Sequence, residues 1–306
     1  MGNPTIKILA KELNLSVASV SKALRDSHEI SNKTKQKVLA LARQMNYVPN
    51  PYASSLRKRI SKTIAVVLPE VADSFFSLAI NGIESVAQEK GYHVLIYLTH
   101  ESFAREKAIL NEFKSGRVDG ILISVSGETS DSKHIKDVTA EGVPVVFFDR
   151  ICEDIDTTRI VTDDFESAYN AATHLIEKGC KKIAFLSISA SLSISNNRMQ
   201  GYKKALKDHK MKTSESDIIL CSNDPEENYR IIKNLLKKKT RPDGIIASVE
   251  KLTASVYRAC KDLRLTIPKH VKLISFTNLQ TALILNPSLT TITQPAFEMG
   301  KMAASV

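Results

Sequence analysis

A turn followed by an amphipathic helix is encoded by the stretch Leu13-Asn14-Leu15-Ser16-Val17-Ala18-Ser19-Val20-Ser21-Lys22-Ala23-Leu24. The Asn14-Leu15 pair suits a tight connection, and Ser16 is a favoured helix N-cap residue. Helical spacing predicts an inward face made of Val20, Ala23 and Leu24. The opposite face, which is left pointing outward, then carries Val17, Ala18, Ser21 and Lys22.

Two further helices are predicted on either side of this stretch. The first can be capped by Thr5, and its apolar residues at helical spacing are Ile6, Leu9, Ala10 and Leu13. The other begins after Ser31 and has the apolar residues Val38, Leu41, Ala42 and Met45. Three short helices around one small core, with an exposed helix of small side chains and one lysine, suit reading of a DNA major groove. The pattern alone also fits an ordinary helical hairpin.

The distribution of charge favours the DNA-binding interpretation. Residues 1–62 contain twelve Lys and Arg against three acids, a net charge of +9 out of +10 for the whole chain. The other 244 residues contain 31 basic and 30 acidic side chains. A solvated surface would not segregate its charge in this way, whereas a module that neutralises phosphates would. We therefore predict a DNA-binding headpiece over residues 1–48.

Length and composition exclude several other classes of protein. A chain of 306 residues with 43% hydrophobic and 25% charged content is expected to form two or three globular domains. The sequence has no secretory signal and no apolar run long enough to span a membrane. The four cysteines are far apart and have no metal-ligand spacing. We expect a cytoplasmic protein with reduced thiols, without a metal site, a cofactor or membrane contact.

A short basic segment follows the headpiece at residues 49–62. Asn50 as N-cap and Pro51 as first helical residue make a good helix start, with Ala53 and Leu56 on one face. Because a helix of about eight residues is unstable alone in water, it should form only against a partner such as a second subunit and DNA. A plain basic linker is the alternative.

From Thr63 onward, short apolar runs typical of strands alternate with amphipathic segments typical of helices. This alternation predicts parallel sheets covered on both faces, and nine to ten strands suit two sheets better than one. An internal repeat supports two halves, because residues 118–124 (VDGILIS) recur as residues 242–248 (PDGIIAS). In such α/β lobes ligands bind beyond the C-terminal strand ends, so a cleft between the two lobes is the expected binding site.

These features together resemble the lactose/galactose repressor (LacI/GalR) family over essentially the whole chain. The residues that carry the resemblance are Leu15–Leu24, Ser31–Lys37, Leu41–Asn50, Phe148–Arg150, Thr162–Asp164, Arg198–Tyr202 and Pro287–Ile292. It implies an all-α helix-turn-helix domain and a hinge joined to a two-lobed sensor domain like a periplasmic binding protein. We expect one lobe to comprise residues 63–161 and 290–306, and the other residues 162–289. Family members usually extend further, so we also expect a C-terminal segment to be missing.

The resemblance implies a homodimer, or a tetramer of dimers, on a near-palindromic operator. Apolar contacts to bases would come from Val17 and Ala18, and Lys22 would donate to guanine. Leu56 from two hinge helices would wedge into the minor groove. The remaining predicted DNA-binding residues, including those expected to hold phosphates, are Thr5, Ser16, Ser21, Arg25, Ser31, Thr34, Asn50, Ala53 and Arg57.

For the sensor domain, the resemblance implies a small-molecule effector between the lobes, expected to be a sugar or sugar derivative. Phe75 and Phe76 would stack on a ring or simply pack in the core. Asp149 would accept hydrogen bonds from sugar hydroxyls, and Arg198 would donate hydrogen bonds to oxygen or an anionic group of the effector. The other candidates are Ser124, Glu250, Asn278 and Gln294, of which Gln294 fits core packing equally well. The chain departs from the family at Val249-Glu250, where Asn-Asp is common, and at Thr277, where a sugar-binding carboxylate is common. These departures count against an unmodified hexose as the effector.

The predicted function is a sequence-specific transcription regulator, expected to be a repressor, whose operator affinity depends on the effector. Control by a partner protein and a solute-binding protein without a DNA role are the alternatives. An enzyme is disfavoured because no nucleophile elbow, phosphate loop, dinucleotide fingerprint or zinc-protease motif occurs.

Overall fold

A computed structural model describes residues 4–48, 60–189, 191–212 and 214–306. The chain forms two compact units, Met1–Arg59 and Ile60–Val306. The expected hinge residues Asn50, Ala53, Leu56 and Arg57 lie outside the described residues.

The first unit contains three helices, which are α1 (Ile6–Glu12), α2 (Val17–Leu24) and α3 (Asn32–Gln44). Their apolar faces meet in one small core of Leu9, Ala10, Val20, Ala23, Val38 and Ala42. The Ser16 hydroxyl accepts a hydrogen bond from the Ser19 N–H at 3.0 Å, and the Ser31 hydroxyl accepts from Thr34 at 3.3 Å. Thr5 occupies the N-cap position of α1, but its side chain makes no capping hydrogen bond. The prediction of a Thr5 side-chain cap was therefore wrong.

The second unit begins with a lobe built on a five-stranded parallel sheet of order β2-β1-β3-β4-β5. The strands are β1 (Thr63–Leu68), β2 (His93–Leu98), β3 (Gly120–Ile123), β4 (Val145–Phe148) and β5 (Arg159–Ile160). Three helices connect them, α4 (Ser74–Glu89), α5 (Phe103–Phe113) and α6 (Lys133–Ala140). In β1, Ala65 and Val67 pack on the side of α5 and α6, while Val66 and Leu68 pack on the side of α4. This alternation is the two-residue period of a strand buried on both faces.

The other lobe has a second five-stranded parallel sheet, of order β10-β9-β8-β6-β7. Its strands are β6 (Ile183–Ser187), β7 (Ile218–Leu220), β8 (Gly244–Ala247), β9 (Lys272–Phe276) and β10 (Thr290–Ile292). Its helices are α7 (Asp164–Glu177), α8 (Ser193–Asp208), α9 (Pro225–Lys237) and α10 (Lys251–Asp262), with 3-10 turns at Glu215–Asp217 and Gln280–Ile284. Helices α7 and α8 cover one face of this sheet, and α9 and α10 cover the other.

The repeated Asp-Gly-Ile motif has the same structural role in both sheets. The Asp119 carboxylate accepts hydrogen bonds from the Lys62 N–H at 2.9 Å and the Ser61 hydroxyl at 2.8 Å, just before β1. Asp243 accepts from the N–H groups of Lys181 and Lys182 just before β6. In each lobe this aspartate ties the start of a central strand to the start of its neighbour. The internal repeat is therefore a structural repeat.

The chain passes between the lobes at two places, residues 161–163 and residues 293–295. Strand β10 pairs with β9, so it belongs to the second sheet. The predicted lobe boundary at residue 290 was therefore wrong, since the chain returns only after Ile292. The last helix, α11 (Ala296–Ser305), packs in the first lobe against α4. Gln294 in one connection donates through Nε2 to the Thr162 hydroxyl in the other at 3.2 Å, so the two connections are joined.

Candidate DNA-binding surface and effector cleft

Helix α2 directs the expected side chains away from the core of the headpiece. Val20 and Ala23 are buried, whereas Val17 keeps 40% of its surface exposed and Ala18 is also exposed. Ser21 and Lys22 are partly exposed. An exposed valine on a helix with a free outer face is suited to apolar contact with a thymine methyl group.

Lys22 in α2 and Arg25 at its C-terminal end already have intramolecular partners. The Lys22 ammonium group forms an ion pair with Glu29, in which both side chains are about half exposed. The Arg25 Nε donates to the Ser21 carbonyl at 3.1 Å. An exposed ion pair contributes only about 0–1 kcal/mol, so Lys22 can exchange Glu29 for a DNA acceptor at little cost.

Ser16, Ser31 and Thr34, three of the four residues expected to contact phosphates, lie at the beginnings of helices, and the fourth, Asn50, lies outside the described residues. Ser16 and Ser31 use their hydroxyls as N-caps, and the Thr34 hydroxyl is 2.9 Å from the Ser31 hydroxyl. Thr5 is exposed at the start of α1. Helix N-termini attract anions because their first N–H groups are unpaired and carry a partial positive charge.

The candidate effector site lies where the central strands of both lobes end. Ser124 directly follows β3 and Asp149 directly follows β4, while Ser248 and Thr277 directly follow β8 and β9. All four residues are buried. Since both sheets are parallel, these side chains occur at the carboxyl edge of each sheet, which is where ligands bind in open α/β folds.

Asp149 is the polar centre of the first-lobe side. It has a left-handed backbone (φ +62°) and is 6% exposed. Its Oδ1 accepts from Gln294 Nε2 at 3.4 Å, and its Oδ2 is 3.8 Å from Arg150 Nε. Burial raises the pKa of Asp149 above its usual value, while the charges of Arg150 and Arg198 oppose that rise. Because Arg198 is in the second lobe, the two lobes approach each other at Asp149.

Arg198 on α8 is held rigidly on the second-lobe side. Its Nε donates to Asp164 Oδ1 at 2.7 Å, and its Nη1 donates to the Ser248 carbonyl. The guanidinium lies over the Phe276 ring, 4.2 Å from the ring centroid. Arg198 Nη2 is buried and has no hydrogen-bond partner among the described residues. One donor of a fixed guanidinium is thus left for a ligand.

Glu250 joins the two lobes. Its Oε1 accepts from the Ser74 N–H at 3.0 Å, and its Oε2 accepts from the hydroxyls of Ser74 and Thr277. Ser74 begins α4 in the first lobe, so a second-lobe carboxylate caps a first-lobe helix. The Asn278 N–H also donates to the Ser74 hydroxyl at 3.1 Å. Glu250 therefore brings a carboxylate next to Thr277, where the usual family carboxylate is absent.

Asn278 and Gln294 bond to each other. The Asn278 amide donates to the Gln294 carbonyl at 2.6 Å and accepts from the Gln294 N–H at 3.3 Å. Gln294 also contacts Asp149 and Thr162. This pair connects the end of β9 to the chain crossing between the lobes.

Phe75 and Phe76 lie in the packed core of the first lobe. They are 5% and 2% exposed, and their rings meet edge to face at 5.3 Å between centroids. Phe76 also packs edge to face with Phe148, and the Arg150 guanidinium is 5.8 Å from its ring centroid. The core-packing interpretation accounts for these contacts without a ligand.

Several polar residues of the cleft were not predicted from the sequence. Arg150 Nη1 binds Glu101 at 2.8 and 3.1 Å, and Lys251 pairs with Glu70 at 2.7 Å and lies 3.6 Å from Glu101. Lys251 comes from the second lobe, and its two ion-pair partners, Glu70 and Glu101, come from the first. Arg150 follows Asp149 in the Phe-Asp-Arg landmark and was recognisable there. Glu101 and Glu70 carry no comparable sequence signal.

Several buried polar atoms around the cleft have no hydrogen-bond partner within the described part of the chain. These atoms are Ser124 Oγ, Arg150 Nε, Ser195 Oγ, Arg198 Nη2 and Ser248 Oγ. Leaving a buried polar group unsatisfied costs about 1–3 kcal/mol. Five such atoms near the strand ends of two lobes indicate a site that a polar molecule completes.

Comparison with known proteins agrees with this arrangement. A family model described as "Periplasmic binding proteins and sugar binding domain of LacI family" matches residues 61–306. A second, described as "Bacterial regulatory proteins, lacI family", matches residues 5–50. The chain belongs to the LacI family.

Individual LacI-family proteins resemble the chain over most of its length. The ribose operon repressor of Haemophilus influenzae is 28% identical over 98% of this chain and 89% of the relative. A regulator from Enterococcus faecium with bound ribose is 25% identical with a TM-score of 0.70, covering 79% of this chain and 88% of that one. The Lac repressor dimer bound to operator and an anti-inducer is 20% identical with a TM-score of 0.83, covering 99% and 91%, and this similarity supports the fold.

The relatives named here are regulators rather than enzymes. In the described part of the chain, no helix is both long and apolar enough to cross a bilayer. The thiols of Cys152, Cys180, Cys221 and Cys260 are free.

Proposed function

We propose that this LacI-family protein is a repressor that binds a near-palindromic operator as a homodimer and responds to a small molecule bound between its sensor lobes. The observation that carries the DNA-binding half is the outward face of α2 on a separate compact unit. That unit lies within the 62 residues that contain nine of the ten net positive charges of the chain. Such a surface attracts phosphates and presents a helix to the major groove.

Within this proposal, specificity comes from α2 and positioning comes from helix N-termini. Val17 and Ala18 contact base edges, and Lys22 leaves Glu29 to donate to guanine. Ser16, Ser31 and Thr34 contact phosphates through the first turns of α2 and α3. The segment with Asn50, Ala53, Leu56 and Arg57 is proposed as the hinge helix, which pairs across the dimer in the minor groove.

The effector half of the proposal rests on the unpartnered polar atoms of the cleft. A hydroxyl-rich molecule would donate to Asp149 and accept from Arg198, and it would complete the bonds of Ser124 and Ser248. The name of the ribose operon repressor and the ribose bound to the Enterococcus regulator support a carbohydrate-like effector. Binding shifts DNA affinity only through a difference in effector affinity between the lobe arrangements.

The proposal also covers the domain boundaries of the chain and the cellular compartment of the protein. We assign residues 1–48 to the headpiece, 49–62 to the hinge and 63–306 to the sensor, with the lobes exchanging after Ile292. A regulator of this class works where the bacterial chromosome is, so we place the protein in the cytoplasm. We assign no catalytic role to the cleft.

The DNA-binding half is tested by selecting operator sequences with the full chain and comparing variants on the selected site. Lys22→Ala should weaken specific binding by about 1–3 kcal/mol and relax the preference at one base pair. Lys37→Ala, an exposed lysine on α3, is the matched control and should weaken selected and random DNA equally. A fragment of residues 60–306 should lose DNA binding. DNA affinity retained by that fragment would contradict the assignment.

The effector half is tested by thermal shift of the full chain against sugars, sugar acids, sugar phosphates and nucleosides. A compound that binds the folded state raises its apparent stability by mass action. Asp149→Ala should abolish the shift, whereas Asp208→Ala, an exposed aspartate at the end of α8, should keep it. If only a partner protein changes operator affinity, the small-molecule half of the proposal is wrong.

A further inference from the structure

The cleft between the lobes contains twice as many carboxylates as cations. The carboxylates are those of Glu70, Asp73, Glu101, Asp149, Asp164 and Glu250. The cations are Arg150, Arg198 and Lys251. A charge imbalance of this size at a partly buried site is unfavourable unless some of the acids take up a proton or a bound cation supplies positive charge.

Each cation already has a carboxylate partner at short range. Arg198 pairs with Asp164 at 2.7 Å, Arg150 pairs with Glu101 at 2.8 Å, and Lys251 pairs with Glu70 at 2.7 Å. The three carboxylates that remain are Asp73, Asp149 and Glu250.

These three carboxylates are held mainly by neutral groups. Asp73 caps α4 by accepting from the Phe75 N–H at 2.9 Å, and Glu250 accepts from Ser74 and Thr277. Asp149 Oδ2 lies 3.8 Å from Arg150 Nε, which is a long distance for an ion pair. Among the described residues, no lysine or arginine lies within ion-pair distance of Asp73 or Glu250. The excess charge is thus concentrated on one group of side chains.

The three carboxylates are close enough to affect one another. Burial raises the pKa of Asp73 to about 7, and the charges of Glu250, Glu70 and Asp149 add to the rise. Asp73 and Asp149 belong to the first lobe and Glu250 to the second. The weakly compensated negative charge therefore comes from both lobes.

Three buried serines that neighbour Asp149 or Arg198 also have hydroxyls without a partner in the part of the chain that the structure describes. Ser124, Ser195 and Ser248 are 0%, 3% and 1% exposed, and their hydroxyls complete no hydrogen bond within the described residues. Ser124 neighbours Asp149, and the Ser248 carbonyl accepts a hydrogen bond from Arg198. Hydroxyls both donate and accept, so they match the hydroxyls of a polyol.

We propose that the effector is a polyhydroxylated amine, of which an amino sugar is the simplest example. Its ammonium group lies among Asp73, Asp149 and Glu250, and its hydroxyls bond to the buried serines and to the free guanidinium donors. A neutral sugar would leave the excess negative charge of the cleft in place. A sugar acid or sugar phosphate would increase it. This inference rests on the proposed function, because it specifies the ligand of the proposed effector cleft.

The test compares matched pairs of compounds with the full-length chain by isothermal titration calorimetry at neutral pH. The amines are D-glucosamine, D-galactosamine and D-mannosamine, and the partners are D-glucose, D-galactose, D-mannose and D-glucuronate. One amine should bind at least about tenfold more tightly than its hexose, as expected for one charge-assisted hydrogen bond in place of a neutral one. D-glucuronate should bind more weakly than either.

Variants that remove one carboxylate test where the preference for an amine over its hexose arises. Asp73→Asn keeps a residue that can cap α4, and Glu250→Gln keeps the shape of the side chain, so both should fold while losing most of the amine preference. Asp208→Asn, which changes an exposed carboxylate that pairs with Lys204, is the matched control and should keep it.

The outcomes separate this inference from the proposed function. A hexose or D-glucuronate that binds as tightly as every amine overturns the amine inference but leaves an effector cleft in place. An amine preference that survives both cleft variants also overturns it, because the ammonium group must then bind elsewhere. If no compound of the panel binds while the full chain still binds operator DNA, the amino sugars are excluded and the effector half of the proposed function loses its support.

Discussion

Replacing Arg198 by alanine should destabilise the sensor unit strongly, because it isolates a buried charge. Arg198 is 2% exposed, and its guanidinium is the only ion-pair partner within 4 Å of Asp164 among the described residues. Asp164 is itself 5% exposed, and burial already raises its pKa above the usual value despite the opposing charge of Arg198. Without Arg198, Asp164 must either remain charged without a partner or take up a proton.

The size of the effect follows from these contacts. Removing one partner of a buried ion pair typically costs about 3–5 kcal/mol. In a unit of about 250 residues, 1 kcal/mol shifts the melting temperature by about 2–4 °C, so the expected loss is about 10 °C. The loss should be smaller at pH 5 than at pH 8. An acid whose pKa is raised in the folded state binds more protons there than in the unfolded chain, so stability falls as pH rises.

The assay is a double-mutant cycle read by thermal and urea unfolding of the full chain. Arg198→Met combined with Asp164→Asn removes both charges at nearly constant volume and should recover most of the loss seen in Arg198→Met alone. Such a recovery is the signature of a coupled pair. If the two losses simply add, or if Arg198→Ala costs less than about 1 kcal/mol, Asp164 does not depend on Arg198 and this account of the cleft is wrong.

Three further predictions test other parts of the chain. Asp73→Asn should flatten the fall in stability between about pH 4 and pH 7 and raise the melting temperature at pH 8, because the pKa of Asp73 is raised to about 7; an unchanged pH profile would contradict that pKa. Gly201→Ala should destabilise by about 1–3 kcal/mol in urea unfolding, since a Cβ there would lie 2.0 Å from the Phe165 carbonyl oxygen. Gly120→Ala, with ordinary contacts, is its control and should cost less. Ser16→Ala should lower headpiece stability by about 1 kcal/mol, measured by hydrogen exchange of the α2 amides, and unchanged protection would mean that the cap is dispensable.

Most of the fold could be predicted because its signals are local. Helical spacing located the headpiece helices, and the switch to apolar runs located the strands from β1 to β9. The repeated Asp-Gly-Ile motif indicated two equivalent sheets. Strand β10 was assigned to the wrong lobe because three residues next to a chain crossing carry too little pattern to show which sheet they join. The Thr5 cap was wrong because residue type alone does not fix the orientation of a hydroxyl.

The polar network of the cleft could be predicted only in part. Ser124 and Asp149 were implied by the family resemblance, and both directly follow central strands, where ligands bind in open α/β folds. The contact of Glu250 with Ser74 joins residues 176 positions apart in different lobes, and no local pattern encodes it. The role of Phe75 and Phe76 could not be decided from the sequence, because an aromatic pair on an amphipathic helix has the same sequence pattern in a core as in a ligand site.

The joined connections between the lobes give the sensor a fulcrum. Gln294 links both crossings and also touches Asp149, so a ligand held by Asp149 acts very close to the line about which the lobes can turn. A small change in side-chain position at a fulcrum becomes a larger displacement at the far edge of each sheet. Because each lobe secures its own central strands through Asp119 or Asp243, it can turn as a stiff arm. Gln294 is therefore a point through which a change at Asp149 can reach both connections between the lobes.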